Sequence, residues 1–352
     1  MLYRETGQFK TSYSADQAMF PILQDRIGII VILAVAFIGV PLVATPYAYT
    51  GLLIPFLILA LAAIGLNLLT GYCGQVSLGT GGFMAVGAYA AYNLVVRVPD
   101  INILLAIFMG GGFAALVGVL FGLPSLRIKG FYLAVATLAA QFFLDWVFIR
   151  IKWFTNYQTN ANAPDLNIFG ISFNSPVNRY ILVLSVVVFM ALLAKNLVRS
   201  RVGRAWMAVR DMDIAAEIIG IRLLRTKLLA FAVSSFYCGV AGALWAFVHL
   251  GAWEPLTFDV NRSFQVLFMI IIGGLGSLLG AFLGAAFIFT VPILINQVPA
   301  AFGVPISTAL AAHLEAMIFG SLIIFFLIAE PHGFARLWQI GKEKLRLWPF
   351  PH

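Results

Sequence analysis

Long unbroken runs of apolar residues, separated by short polar intervals, recur from residue 27 to residue 329. A helix crossing hydrocarbon needs about 20 apolar residues. The runs that approach this length are 27–44, 49–69, 83–96, 102–122, 130–149, 180–197, 228–248, 264–279, 280–296 and 313–329. The third is short. The eighth and ninth run together through Gly273, Gly274, Gly276, Gly280 and Gly284, and merging them would change the count. A membrane barrel would instead show alternating segments of about ten residues. Backbone groups in hydrocarbon must be satisfied inside each segment, which selects helices. The pattern predicts an all-α membrane protein: a polytopic helical bundle of about ten transmembrane helices.

Composition agrees. Of 352 residues, 62% are hydrophobic and 10% charged, and mean hydropathy is +0.97, against about 25% charged residues in soluble domains. The net charge of +8 sits in the intervals between runs, so it speaks for membrane orientation and not for nucleic acid. Cations cluster at 199–227, at Arg127 and Lys129, and in the tail at Arg336, Lys342, Lys344 and Arg346. An even number of spans with both termini cytoplasmic places all three clusters inside, and 97–101, 150–179, 250–263 and 297–312 outside. The division expected is a cytoplasmic segment 1–26, a membrane domain 27–329 and a basic tail 330–352. Residues 1–26 are too long and too neutral for a signal peptide. Ala34-Val35-Ala36 imitates a cleavage site inside a longer apolar run, so the first span is read as uncleaved. In the tail, Phe334, Leu337, Trp338, Leu345 and Trp348 alternate with cations. That suits a helix lying at the interface, and a frayed basic tail fits equally.

The interval 199–227 is the exception in an oily chain, with seven Lys/Arg and three acids. Ala205, Val209, Met212, Ala216 and Ile219 recur at spacings of four and three, one face of a helix over 203–220. Gly220 follows as a C-cap. Such a helix can dock into a partner's groove; an ordinary positive-inside loop fits the periodicity as well. No loop is long enough for an ATPase, and G-x-x-x-x-G-K-[ST] is absent from the sequence. ATP-driven work would therefore need another subunit.

Gly71-Tyr72-Cys73-Gly74-Gln75-Val76-Ser77-Leu78-Gly79 is too polar and glycine-rich to face lipid. It is tolerated at membrane depth where it is buried in protein or lines a water-filled path. Tyr72, Gln75, Ser77, Gly79 and Thr80 are the expected path residues. The glycines at 79, 81 and 82 leave N–H groups at the next helix start, which could receive a carboxylate. A cytoplasmic loop that only packs is the plainer alternative. The small-residue repeats Gly276-x-x-x-Gly280-x-x-x-Gly284 and Gly118-x-x-x-Gly122 predict close helix approach, within the chain before between chains. Asp145, with Gln141 one turn before it, and His313 and Glu315 read as vestibule charges near the outer side. Their scarcity counts against an ion-coupled carrier. Four histidines and no His-x-x-His or His-Glu-x-x-His pattern leave no enzyme to build. The two cysteines, Cys73 and Cys238, show neither disulfide nor metal spacing.

Asp213-x-Ala215-Ala216-x-x-x-Gly220 resembles the EAA-x-x-x-G loop of ABC importer permeases. The run from Val202 through the next span, together with 65–90 (GLNLLTGYCGQVSLGTGGFMAVGAYA), 126–139 (LRIKGFYLAVATLA) and 273–285 (GGLGSLLGAFLGA), is similar to branched-chain amino acid permeases of the LivM type. The resemblance covers about residue 60 to 335. It implies a cytoplasmic coupling helix in the loop 199–227, with Arg204, Val209, Arg210, Asp213, Ala215, Ala216 and Gly220 meeting an ATPase. It implies two ATP-binding cassette subunits carrying ATP and Mg, and no cofactor or metal in this chain. A second, homologous permease and a periplasmic binding protein touching Glu254, Asp259 and Arg262 complete the expected assembly, in a bacterial inner membrane. The implied activity is inward transport of branched-chain or related hydrophobic amino acids by alternating access. The family's Thr-Gly-Gly-rich stretch after the fifth span is replaced here by the asparagine-rich run 153–164, which leaves urea, an amide or another small carboxylate open as solute. An ATP-independent secondary transporter or channel is the rival class; it would not need the 203–220 helix.

Overall fold

A computed structural model describes residues 11–12, 23–125, 131–157, 161–162, 166–168, 171–301, 308–329 and 333–347. Arg127, Lys129, Trp348, Arg346's side chain and most of the 1–26 segment lie outside what is described. The architecture is helical. Helix α1 (Leu23–Ala34) continues through a π-helical turn to Val43. Then come α2 (Ile54–Asn67), α3 (Thr80–Arg97), α4 (Ile103–Ser125), α5 (Phe131–Arg150) and α6 (Pro176–Arg199). The charged interval holds α7 (Arg201–Asp211) and α8 (Asp213–Ile218). It is followed by α9 (Leu223–Leu244), α10 (Val260–Gly273), α11 (Leu278–Ala301), α12 (Thr308–Ala329) and α13 (Gly333–Leu347). Two short antiparallel ladders lie at the end opposite the charged interval: Ala161–Asn162 with Ala252–Trp253, and Asn167–Ile168 with Ile171–Ser172.

Each expected run falls on a helix. Among the described residues, eight helices are long and apolar enough to cross a membrane; α3 and the shorter apolar part of α12 account for the third and tenth runs. One boundary differs. The eighth and ninth runs part at 274–277 and not at 279–280, because Gly274 (φ 117°) and Gly276 (φ 74°) turn the chain there. Glycine alone adopts such angles without a Cβ penalty.

The middle of the bundle is α2, packed against α6, α9, α10 and α11, while α3 and α4 pack on α9. Helix α2 is apolar all round, the composition of a helix with no wet face, and from Leu57 to Leu69 every residue is buried. Small residues set the spacing. A Cβ on Gly65 would meet Tyr237 and Ser234, one on Gly87 would fall on the Gly239 backbone, and one on Gly118 on Ser235. Gly280 and Gly284 press against Gly273 and Met269, closing α10 and α11 into a tight hairpin. Both glycine repeats therefore serve packing inside the chain.

Candidate functional site

Two places in this bundle hold polar chemistry against the apolar background. The first is at the charged end. Helix α7 seats through Gly203, Trp206 and Val209, all buried, and Trp206 Nε1 donates to Thr226 O at 3.1 Å. Ser200 starts it, its hydroxyl accepting the Val202 N–H at 3.1 Å. The expected single helix over 203–220 is broken. Met212 is extended (φ −160°, ψ 97°), and the chain restarts as α8. The break turns Met212 outward, so the expected apolar face splits. Val209 and Ala216 stay buried, whereas Met212, Ile214, Ile218 and Ile219 project at 66, 66, 80 and 73% exposure. Gly220 (φ 92°) ends α8 as anticipated. Its N–H donates to Glu217 O at 2.9 Å and the Ile221 N–H to Ala216 O at 3.0 Å, the paired bonds of a Schellman cap. Ala215 and Arg204 are exposed, the latter held by Arg199 O at 3.0 Å, and Asp213 opens α8 half-buried.

Arg210 points the other way, into the bundle. Its Nη1 donates to Gly71 O at 3.0 Å, while Nη2 pairs with Asp211 at 2.8 Å. Gly71 lies in the π-helical turn Leu68–Tyr72 that ends the α2 span. The same guanidinium packs on Gly276, in the α10–α11 turn. Asn67, fully buried one turn before Gly71, clamps that turn: Oδ1 accepts the Gly276 N–H at 2.9 Å and Nδ2 donates to Ser277 O at 2.8 Å. A cavity of about 610 Å³ opens beside this joint, lined by Gln75, Val76, Leu133, Arg210, Met212 and Lys227.

From this joint residues 74–79 run without helix to the second place, the start of α3. Leu78 N–H donates to Thr137 Oγ1 at 2.9 Å, and Gly79 lies against Thr137 O. The α3 N-terminus then sits beside Gln141, halfway along α5. Gln141 is fully buried and ties three elements together. Its Oε1 accepts the Gly82 N–H in a short bond and the Ser263 hydroxyl at 3.0 Å. Its Nε2 donates to Phe258 O and Asp145 Oδ1, both at 2.9 Å. Ser263 in turn accepts the Gly81 N–H at 2.8 Å. Phe258 belongs to a 3-10 turn (Pro255–Phe258) that brings the chain back to this level, where Asp259 caps α10. Two helix N-termini thus meet mid-bundle around one glutamine.

This geometry corrects parts of the sequence reading. The α3 N-terminus does not stand open for a carboxylate: Ser263, Gln141 and Gly79 O already occupy the Gly81, Gly82 and Phe83 N–H groups. Of the expected path residues, Gln75 is half-buried and lines the cavity, with Nε2 on Cys73 O at 3.4 Å. Tyr72, Ser77, Gly79 and Thr80 are buried, since the extended segment is covered by α5 and α10. Among the described residues, Thr80 Oγ1 has no hydrogen-bond partner. Glu254 is exposed, but Asp259 and Arg262 are half-buried, because the 3-10 turn carries them inward from the end of α9. Asn67, Thr137 and Ser263 were not singled out from sequence, and Gln141 was read as a vestibule group. A glutamine four residues before an aspartate in an apolar span is the signal that could have found this knot, since polar groups at membrane depth pair with one another.

Residues 48–327 match the family described as "Branched-chain amino acid transport system / permease component". The chain belongs to this family. It is 30% identical over 258 residues to the high-affinity branched-chain amino acid transport system permease protein LivM of Escherichia coli K12, a match covering 65% of this chain and 59% of that protein. It is 24% identical over 258 residues to the probable branched-chain amino acid transport permease protein LivM of Methanocaldococcus jannaschii, covering 69% of this chain and 72% of that one. It is 28% identical over 268 residues to the autoinducer 2 import system permease protein LsrC of Enterobacter sp. 638, covering 74% and 73%. The chain thus matches about three-fifths of the E. coli relative's length. No solved structure matches it. Apolar spanning helices and membership in a permease family make this a multi-pass membrane protein, a permease component.

Proposed function

We propose that this chain is the membrane subunit of an ATP-binding cassette importer that carries branched-chain or related hydrophobic amino acids into the cytoplasm of a bacterium across its inner membrane. Partner ATPases bind ATP and Mg and press on α7–α8; this chain performs no hydrolysis itself. A second, homologous permease completes the path, and a periplasmic binding protein delivers solute to the face carrying Glu254. Residues 1–26, 199–227 and 330–352 lie in the cytoplasm and 27–329 form the membrane domain, by the distribution of Lys and Arg.

The observation that carries this reading is the build of the charged end. Met212, Ile214, Ile218 and Ile219 form an apolar knob rimmed by charges, the kind of exposed patch that marks a protein contact. Arg210, beside the knob, reaches both the α2 end and the α10–α11 turn. A push on α8 therefore has a short mechanical route to the 71–79 segment and to α10. The 71–79 segment leads into α3, and the starts of α3 and α10 meet at Gln141, so displacing either shears the knot and opens one side of the bundle at a time. Helix packing favours such discrete rearrangements over continuous bending.

The test is uptake by proteoliposomes holding the complete transporter, its binding protein outside and ATP inside. Leucine, isoleucine and valine should accumulate only with ATP. Accumulation without ATP or without the ATPase subunits would select a secondary carrier. The LsrC relative supports a second reading, in which the solute is not an amino acid. Uptake that ignores branched-chain amino acids but takes another small polar solute would favour it.

A further inference from the structure

A cavity of about 850 Å³ opens between α10, the 3-10 turn before it and α12, and no role assigned so far uses it. Its size falls within the range of small-molecule sites. Its chemistry is unusual for a membrane bundle, because both signs of charge face one apolar-walled space. Arg262 lies on one side, with its guanidinium over the Trp245 ring at 4.4 Å, Nη1 on Gln265 Oε1 at 2.7 Å and Nε on Thr257 O at 3.4 Å. Asp259 and, from the facing helix α12, Glu315 supply the acids. Asp259 Oδ1 accepts the Arg262 N–H at 3.2 Å and Oδ2 accepts Asn261 Nδ2 at 2.6 Å. Among the described residues, neither acid forms an ion pair with the Arg262 guanidinium. Phe264, Phe268 and Phe319 form the apolar walls.

Charges inside a membrane domain are costly and are retained where they pair or serve a solute. Here the guanidinium is oriented by stacking and neutral acceptors, and Asp259 acts on it through space without a direct ion pair. Glu315 faces the same space from α12. A sugar would not call for two signs of charge, and a fatty acid would not call for the acids. We propose that this cavity is a solute-binding site for a zwitterionic α-amino acid with an apolar side chain. The carboxylate meets the Arg262 guanidinium, the ammonium meets Asp259 and Glu315, and the side chain lies against the phenylalanines. The α10 start is level with Gln141, so solute bound here sits beside the knot whose opening moves it. This site rests on the reading of the chain as an amino acid importer. It also gives Asp259 and Arg262 a role in the path and not in docking the binding protein.

The test uses the complete transporter in nanodiscs without binding protein. Radiolabelled L-leucine is bound and competed by L-leucinol, which lacks the carboxylate, and by 4-methylpentanoate, which lacks the ammonium. The wild type should prefer leucine over each analogue by about tenfold or more, the worth of one charge-assisted hydrogen bond. Glu315→Gln should reduce the preference over 4-methylpentanoate several-fold, Asp259 remaining, and keep that over leucinol. Arg262→Gln should do the reverse. Analogues that compete equally with leucine in the wild type overturn the site, and so do variants that keep both preferences. A variant that folds poorly does not rescue the idea, because the wild-type competition stands alone. Leucine uptake by the wild type in proteoliposomes separates the two readings. Uptake with unchanged preferences sinks this site only, whereas no leucine uptake at all sinks the substrate reading with it.

Discussion

Replacing Gln141 by leucine asks how much of the bundle hangs on the mid-membrane knot. The substitution nearly keeps volume and removes the hydrogen bonds to the Gly82 N–H, Ser263 and Phe258 O, which join α5 to α3 and α10. Hydrogen bonds between helices in membranes average about 0.6 kcal/mol, because a chain unfolded in lipid also finds partners. Three such bonds give about 2 kcal/mol, a shift of roughly twentyfold in the unfolding equilibrium. The bond to Asp145 lies within α5 and adds little to the joining of elements. Reversible unfolding in mixed micelles titrated with SDS reads the difference. The control is Phe142→Leu, at the next position on the exposed face of α5, where no knot is touched. Gln141→Glu should be worse than leucine, since it keeps the acceptor for Gly82 but brings a carboxylate against Asp145 and Phe258 O. If Gln141→Leu unfolds with the Phe142→Leu control, the knot holds nothing and the level at which α3 and α10 start is set by packing alone.

Gly220→Val forces a β-branched residue to φ 92° in open space, costing about 1–2 kcal/mol. The end of α8 should fray and ATP hydrolysis should separate from uptake; unaltered coupling in a well-expressed variant would remove Gly220 from the docking element. Gln75→Cys, lining the cavity at the charged end, should react with a water-soluble thiol reagent, whereas the buried Ser77→Cys should not; equal labelling of both would contradict the covered course of 74–79. The native background is quiet in that experiment. Cys73 and Cys238 are buried, and burial pushes the Cys73 thiol up to about 12 against the pull of Lys227, so at neutral pH it is protonated and unreactive. Labelling of Cys73 in the unsubstituted protein below pH 9 would show that the segment opens.

Much of this was legible in the residues because its physics is local. Apolar length fixes a span, and each expected run found its helix. Gly220 marked a helix end because only a positive φ explains a glycine there. Gly273, Gly274 and Gly276 announced a turn, although the apolar run through them hid its register. Other features depend on contacts between distant residues. Nothing in the side chain of Met212 marks a break, and the apolar period runs straight through it. The result is that residues expected on a buried face became an exposed knob. Asn67 lies 209 positions from Gly276, and the bond between them is invisible to periodicity. Gln141 looked peripheral because depth was counted along its own span. Its meaning came from two other helices that begin at its level. The half-burial of Asp259 and Arg262 has the same origin, since a chain leaving α9 was expected to stay outside and instead turns inward through Pro255–Phe258.

The central claim is that motion of the charged end reaches the bundle through Arg210. Arg210→Ala removes the bond to Gly71 O and the packing on Gly276 while leaving the exposed knob of α8 in place. ATP hydrolysis and leucine uptake are measured together in the same proteoliposomes. The account predicts that the ATPase subunits still assemble and hydrolyse ATP near the wild-type rate, while uptake per ATP falls by about tenfold, as expected from losing a hydrogen bond to a charged group. Uptake per ATP equal to the wild type would contradict it.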